Sequence, residues 1–380
     1  MTSIIILSYN TKAYTQMCIQ SIRKFTPPGT YEIIIVDNAS TDGSLPWLLA
    51  QPDIRLIANE KNAGFPKGCN QGLRIAAGDD LLLLNSDTIV TPRWLEQLLT
   101  ALHSAQDIGA VSCMTNNSTF QHKLDTTYTS IPEAIQFSEN YNHSDPSRWC
   151  KAYELKGFCF LFRRKVYEQV GLLDEMFTPG NYEDDDYSLR IRMAGWKLLV
   201  CKDTFIHHFG GVSFFRKETS DAMRAEKLRE YNALLDRNRH YFLKKWNLSD
   251  RCGVISGLVQ NIGFPKKNPN ILLLDSCAGP EAHILLERYP SARISLLMGT
   301  RGDVAAMAPD FPAMYCKDFE HEAAILLKGT YDYILCLNDF DNYHSPSDFL
   351  SSLSHHLAPG GCILYTASNR IYSYSPSRQE

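Results

Sequence analysis

Ser3-Ile4-Ile5-Ile6-Leu7-Ser8-Tyr9-Asn10 is an apolar run closed by polar residues, and the pattern returns three times in the next part of the chain. Residues 32–36 lead into Asp37-Asn38-Ala39-Ser40, residues 54–58 into 59–62, and residues 80–84 into Asn85-Ser86-Asp87. Runs this short and this apolar read as strands, and the longer amphipathic stretches between them read as crossover helices. That alternation predicts an α/β fold with a mainly parallel sheet. Ligands of open parallel sheets sit outside the carboxyl ends of the strands, so the four polar tips are expected to line one crevice.

Residues 115–150, rich in Asn, Ser, Thr and His with little periodicity, read as a long surface excursion that shapes a second substrate site. A strand is expected over 157–163, a helix from Tyr182-Glu183 to a C-cap at Gly195, and a strand over 196–201. Residues 218–246 lack Gly and Pro and place Leu228, Tyr231, Leu235 and Phe242 at helical spacing, which predicts a long amphipathic helix leading out of the first domain. Gly253, Gly257, Gly263, Pro265 and Pro269 then mark a linker. Strands at 270–274, 293–297, 333–337 and 362–366 suggest a smaller Rossmann-like α/β domain, with no room for a closing strand pair after Thr366. The expected division is 1–248, a linker over 249–269, and 270–380.

The 380 residues are 44% hydrophobic and 21% charged, with a formal net charge of -4. This is the balance of a globular protein, without a global positive field for nucleic acid. The apolar runs are far shorter than the ~20 residues of a transmembrane helix. The N-terminus enters its first strand without a basic leader, so a secretory signal is not expected. Eleven scattered cysteines without a C-x-x-C pair read as reduced thiols of a cytoplasmic protein.

Four places carry residues suited to chemistry. Asp37, at a strand end, offers a carboxylate to the imide N–H of uracil or thymine, although its surroundings also make a good turn. Asp87 offers a hard oxygen to Mg²⁺ or Mn²⁺. His207 and His208 close another strand before Gly210-Gly211, where an imidazole could complete a metal site or touch a diphosphate, or serve the fold alone. Glu183-Asp184-Asp185-Asp186 opens a helix whose dipole favours acids; four exceed a cap, and their repulsion makes a general base plausible without saying which one acts.

In their order, residues 4–10, 36–44, 59–65, Asn70-Gln71-Gly72 and 84–87 resemble family 2 glycosyltransferases of GT-A fold, a nucleotide-diphospho-sugar transferase fold. The resemblance continues through Gly157-Phe158-Cys159-Phe160, Glu183 to Asp186 with Arg190, Ala194-Gly195-Trp196, and His208 with Gly210-Gly211 and Ser213. It covers residues 1–246 and points to the rhamnosyltransferase-like branch. It implies a metal-dependent hexosyltransferase that moves a sugar, with inversion, from a UDP- or dTDP-sugar to an acceptor hydroxyl in polysaccharide or glycoconjugate synthesis. It also assigns roles. Asp37 binds the base, Tyr9, Asn62 and Gly64 lie against the nucleotide, and Ser8, Asn10, Phe65, Asn70, Asn85 and Ser86 complete the donor-binding set. Asp87 and His208 hold Mn²⁺ or Mg²⁺, with Asn85 standing where the family carries an acid. Asp184 is the general base and Glu183 its catalytic neighbour, while Asp186 and Arg190 support the structure.

Residues 270–370 resemble a Rossmann-like methyltransferase through Leu272-Leu273-Leu274-Asp275-Ser276-Cys277-Ala278-Gly279 and Ala358-Pro359-Gly360-Gly361. A loop for S-adenosylmethionine needs several glycines, whereas here Pro280 follows Gly279 and removes a backbone donor. The domain is therefore expected to be a degenerate scaffold or an acceptor-docking module that does not take this cofactor. Alternatives are a bifunctional glycosyl and methyl transferase and a non-catalytic nucleotide- or glycan-binding protein. The acceptor is open among glycan, lipid-linked and protein hydroxyls. A lipid-linked one would bring the protein to the inner face of the cytoplasmic membrane, with Lys244-Lys245 or Lys266-Lys267 as contacts. The sequence names neither sugar nor oligomeric state.

Overall fold

The computed structural model describes residues 1–211, 221–250, 263–368 and 370–375. It forms two compact units, Met1–Arg239 and His240–Glu380. Most of the expected linker, residues 251–262, and residues 212–220, which include Ser213 and the expected start of the long helix, lie outside the described residues.

In the first unit the elements follow as β1 (Thr2–Ser8), α1 (Lys12–Phe25), β2 (Tyr31–Asp37), α2 (Ser44–Leu49), β3 (Ile54–Ala58), α3 (Phe65–Ile75) and β4 (Asp80–Asn85). Next come β5 (Thr88–Ile89), α4 (Trp94–Leu102), β6 (Ile108–Met114), α5 (Ile131–Tyr141), β7 (Trp149–Lys151), β8 (Cys159–Arg163), α6 (Arg164–Val170), α7 (Glu183–Met193), β9 (Lys197–Phe205) and β10 (His207–His208). The boundary between units falls within α8 (Asp221–Trp246).

Eight strands form one sheet in the order β3-β2-β1-β4-β8-β6-β9-β7. The first four are parallel, as the repeating apolar runs predict, with Ser8 level with Asp37 and Leu7 level with Asn85. Alternate residues of each run serve opposite faces. Ile4, Ile6, Ile33, Ile35, Leu82 and Leu84 pack with Ile19 and Ile22 of α1 and Leu95 and Leu98 of α4. Ile5, Ile34, Leu81 and Leu83 pack with Leu73 of α3 and Tyr187 and Ile191 of α7. Both faces are covered, which explains why the runs carry no polar alternation. α3 lies so close to β1 that a Cβ at Gly72 would run into the Ile5 side chain.

Three features depart from the sequence reading. β8 is antiparallel to both β4 and β6, so the sheet is mixed beyond its first half. β6, absent from the reading, is buried along its whole length. Residues 115–150 are more than an excursion: α5 begins at Ser130, whose side chain accepts from the Glu133 N–H, and β7 pairs with β9. Phe137 and Tyr141 supply the helical spacing there, stacking at 5.3 Å and both packing on Phe205.

The second unit contains β11 (Asn270–Ser276), α9 (Glu281–Arg288), β12 (Arg293–Met298), α10 (Arg301–Met307), β13 (Ala313–Tyr315), α11 (Phe319–Leu326), β14 (Tyr331–Asp339), α12 (Pro346–Ser354), β15 (Leu357–Ala367) and β16 (Arg370–Tyr374). Its sheet order is β13-β12-β11-β14-β15-β16. β16 pairs antiparallel with β15, so the chain does find room for one closing strand after Thr366.

Candidate active site

A cavity of about 720 Å³ opens at the carboxyl ends of the parallel strands of the first unit. All four strand tips contribute to its wall: Tyr9 after β1, Asn38 after β2, Asn62, Gly64 and Phe65 after β3, and Asn85, Ser86 and Asp87 at the end of β4. Glu183, Asp184 and His208 line the same space. Residues far apart in sequence are therefore brought together.

Asn38 organises the donor side. Its Oδ1 accepts from Asn59 Nδ2 at 2.8 Å and the Ala63 N–H at 3.2 Å, and its Nδ2 donates to Asn62 Oδ1 at 3.0 Å and the Gly64 carbonyl at 3.2 Å. Gly64 takes φ 82°, and a Cβ there would stand 2.6 Å from Thr178 Cγ2, so a side chain is excluded on both counts.

Ser8, Asn10, Asp37 and Asn70 stand behind this wall. Ser8 Oγ bonds Thr15 Oγ1 at 3.1 Å. Asn10 Oδ1 accepts from the Thr41 N–H at 2.7 Å, tying the β1 tip to the β2 tip. Asn70 is buried and its amide bonds both the N–H and the carbonyl of Leu173, a framing role that the motif alone did not disclose. Asp37 is fully buried; Oδ2 accepts from the Ser40 N–H at 3.0 Å, while Oδ1 has no partner among the described residues.

His208, on β10, lies opposite Thr88 of β5, which brings its ring to Asp87. Nε2 is 3.3 Å from Asp87 Oδ1 and 3.4 Å from Asn85 Nδ2. Nδ1 is 2.8 Å from the Asn117 carbonyl, so it carries the proton when the ring is neutral, and Nε2 offers its lone pair to Asp87's side of the cavity. Asn116 holds the His208 backbone at both its N–H and its carbonyl, and Phe158 stacks on the ring at 5.4 Å. Burial pulls the imidazole pKa down, but the bond and charge of Asp87 outweigh it and leave it raised. His207 instead bonds Tyr128 Oη at 2.7 Å, and burial followed by the His208 charge lowers it to about 4. The Asp87 carboxylate and, once its proton is displaced, the His208 Nε2 edge facing it fit a divalent cation whose remaining positions would be taken by phosphate oxygens and water. Among the described residues no group of three His, Cys, Asp or Glu side chains forms a complete protein cage.

The acidic end is built by α7. Asn181 and Tyr182, both at positive φ, turn the chain so that its first residues face the cavity. Asp186 is fully buried against Arg190, 2.9 Å away, and so belongs to the framework. Asp184 Oδ2 accepts from the Gly157 N–H at 2.9 Å and Oδ1 from the Asp185 N–H at 3.0 Å. Burial, then the charge of Asp185, pushes its carboxyl up to about 6 despite Lys156 and these two donors. Glu183 is buried with Oε2 unpartnered among the described residues, and burial followed by Asp184 raises its pKa well above the usual range.

The sequence reading passed over several wall residues. Lys156 lies beside the family-like Gly157, but a lone lysine there carries no signal. Asn117, Ser118 and Thr119 fall in the supposed excursion. Tyr231 and Leu235 of α8 also reach the cavity, and α8 is anchored to the turn before α7: buried Asn238 Nδ2 donates to the carbonyls of Phe177, Gly180 and Asn181.

In the second unit, Asp275 Oδ2 at the end of β11 accepts from Asn338 Nδ2 at 2.8 Å and Tyr343 Oη at 2.9 Å. The Ala278 N–H in the following loop is taken by Asp303 Oδ1.

Residues 3–171, less than half of the chain, match the family model described as "Glycosyl transferase family 2", which marks a domain of that family in that stretch of the first unit. An uncharacterized glycosyltransferase of Bacillus subtilis, YwdF, is 27% identical over 190 residues, 50% of this chain and 66% of that protein. The mouse "inactive polypeptide N-acetylgalactosaminyltransferase-like protein 5" is 27% identical over 282 residues, 68% of this chain and 65% of its own. The chain thus spans about two thirds of either relative's length. Among solved structures, GalNAc-T7 with UDP, GalNAc and Mn²⁺ aligns with TM-score 0.45 and 16% identity over 64% of this chain and 56% of that one. The mannosyltransferase PcManGT from Pyrobaculum calidifontis with GDP-Man and Mn²⁺ aligns with TM-score 0.42 and 19% identity over 57% of each chain.

Proposed function

We propose that the family 2 glycosyltransferase domain marked by residues 3–171 moves a sugar from a UDP- or dTDP-sugar to an acceptor hydroxyl with inversion at the anomeric carbon. The observation that carries this reading is the shared cavity, which has the Asp87–His208 pair and the Glu183–Asp184 pair in its wall.

The donor enters against Tyr9, Asn62, Gly64 and Phe65, beside the strand tips. Asp37 Oδ1, buried without a partner among the described residues, suits the imide N–H of uracil or thymine once the base displaces what covers it. Asp87 and His208 would hold Mn²⁺ or Mg²⁺, whose charge offsets that of the departing diphosphate. Asp184 takes the acceptor proton: its carboxylate sits in the cavity wall, fixed by two backbone N–H groups, with a pKa near the range where a base is both ionised and willing. Attack from the face opposite the leaving group inverts the configuration. We read the second unit as a scaffold or acceptor-docking module, because the Ala278 N–H is already used and Pro280 offers none.

A thermal-shift screen of nucleotides and nucleotide sugars with and without Mn²⁺ tests the donor, since a ligand of the native state raises its apparent stability. UDP or dTDP should stabilise more with the cation than without it. Nucleoside diphosphate release in the presence of candidate acceptors then tests transfer, and its persistent absence despite cation-dependent nucleotide binding would favour a non-catalytic binding protein.

A further inference from the structure

The transfer scheme leaves one largely buried ion cluster in the cavity wall without a task. Lys156 Nζ lies 2.7 Å from Asp185 Oδ1 and 2.6 Å from Glu154 Oε1. Glu154 and Lys156 belong to the segment before β8, and Asp185 follows Asp184 on the first turn of α7. The same segment is fastened to α7 twice more: the Leu155 N–H donates to Ser188 Oγ at 3.0 Å, and the Gly157 N–H to Asp184 Oδ2 at 2.9 Å. Lys156 thus stands where one cation can hold the side chain next to the base while its own neighbour holds the base itself.

We infer that Lys156 is a positioning residue for Asp184, clamping Asp185 and with it the first turn of α7 so that the Asp184 carboxylate stays ionised and aimed into the cavity. This rests on reading Asp184 as the base. The electrostatics require a counter-charge at this place. Glu183 and Asp185 from α7 face Asp184, Glu154 shares Lys156 with Asp185 and is pushed up to about 8 by burial and then by the Asp185 charge, Tyr231 of α8 feels the charges of Glu183 and Asp184, and Arg239 acts on Tyr182 in the turn. The lysine's charge also reaches buried His122, which is held neutral by burial and then by that charge. Lys156 is therefore a cation that acts directly on Asp184, and like charges at such spacing otherwise drive one carboxylate to hold its proton.

The test is a carboxyl ¹³C NMR titration of the full-length protein labelled at aspartate, in which the Asp184 signal is the one lost in Asp184→Asn. In Lys156→Gln, which keeps hydrogen-bond donors to its partners, and in Lys156→Met, the Asp184 midpoint should rise by about one unit or more, a tenfold gain in proton affinity. Lys156→Arg, which keeps the charge, should restore it to within about half a unit. An unmoved midpoint in either folded neutral variant overturns the inference and leaves the base assignment standing. Conversely, nucleoside diphosphate release that survives Asp184→Asn overturns the base assignment, whatever the titration shows.

Discussion

Asp184 and Asp37 show how much a single carboxylate depends on its neighbours. Asp184→Asn keeps the shape but only one of the two N–H contacts, because its amide nitrogen cannot accept a hydrogen bond, and it cannot take a proton, so product formation should fall about 10²- to 10⁴-fold with little loss of donor binding. The sign of the pH dependence follows from its raised pKa. The base works deprotonated, so the rate should climb as pH rises through about 6 and level above it, and a limb absent from the profile of kcat would count against the assignment. Asp37→Ala should weaken UDP or dTDP about 10- to 100-fold, the worth of a hydrogen bond to a charged group, and should blunt preference over GDP. Calorimetry with the three diphosphates measures both. The strand-end position of Asp37 was legible in the sequence because Val36-Asp37 closes an apolar run. Its orphaned Oδ1 was not, because partnering is a property of the packed neighbourhood.

Secondary elements carry the next set of consequences. α3 approaches β1 through Gly72, so Gly72→Ala should lose about 1–3 kcal/mol to overpacking against Ile5, more than the roughly 1 kcal/mol that Ala gains in helix propensity. A lowered midpoint in denaturant unfolding at unchanged slope would show it. α8 holds the turn before α7 through three carbonyls bonded by Asn238. Asn238→Ala should therefore impair turnover along with stability, whereas Ser130→Ala at the start of α5 should cost about 1 kcal/mol of cap stabilisation and leave donor binding intact. The apolar strands of the sheet's first half were readable because both faces are buried. The orientation of β8 was not, since an apolar run looks the same whether it pairs parallel or antiparallel.

At the scale of the whole molecule, the chain passes from the first unit to the second within α8, and residues 231, 237 and 238 serve the first of them through Asn181, Thr178 and the turn carbonyls. A chain cut after residue 250 should keep cation-dependent nucleotide binding in a thermal-shift assay, while one cut after residue 220 should lose it together with the anchor of the α7 turn. Among the described residues no helix is long and apolar enough to cross a membrane. By itself the sequence determined the α/β alternation, the strand tips that border the crevice and the acidic opening of α7, because periodicity, turn residues and charge are local properties. The tertiary structure decided which of those residues share a cavity. It turned His208 rather than His207 toward Asp87, withdrew Asn70 into the framework, and set Lys156, Tyr231 and Leu235 in the wall, because proximity between distant segments arises from packing that no local pattern encodes.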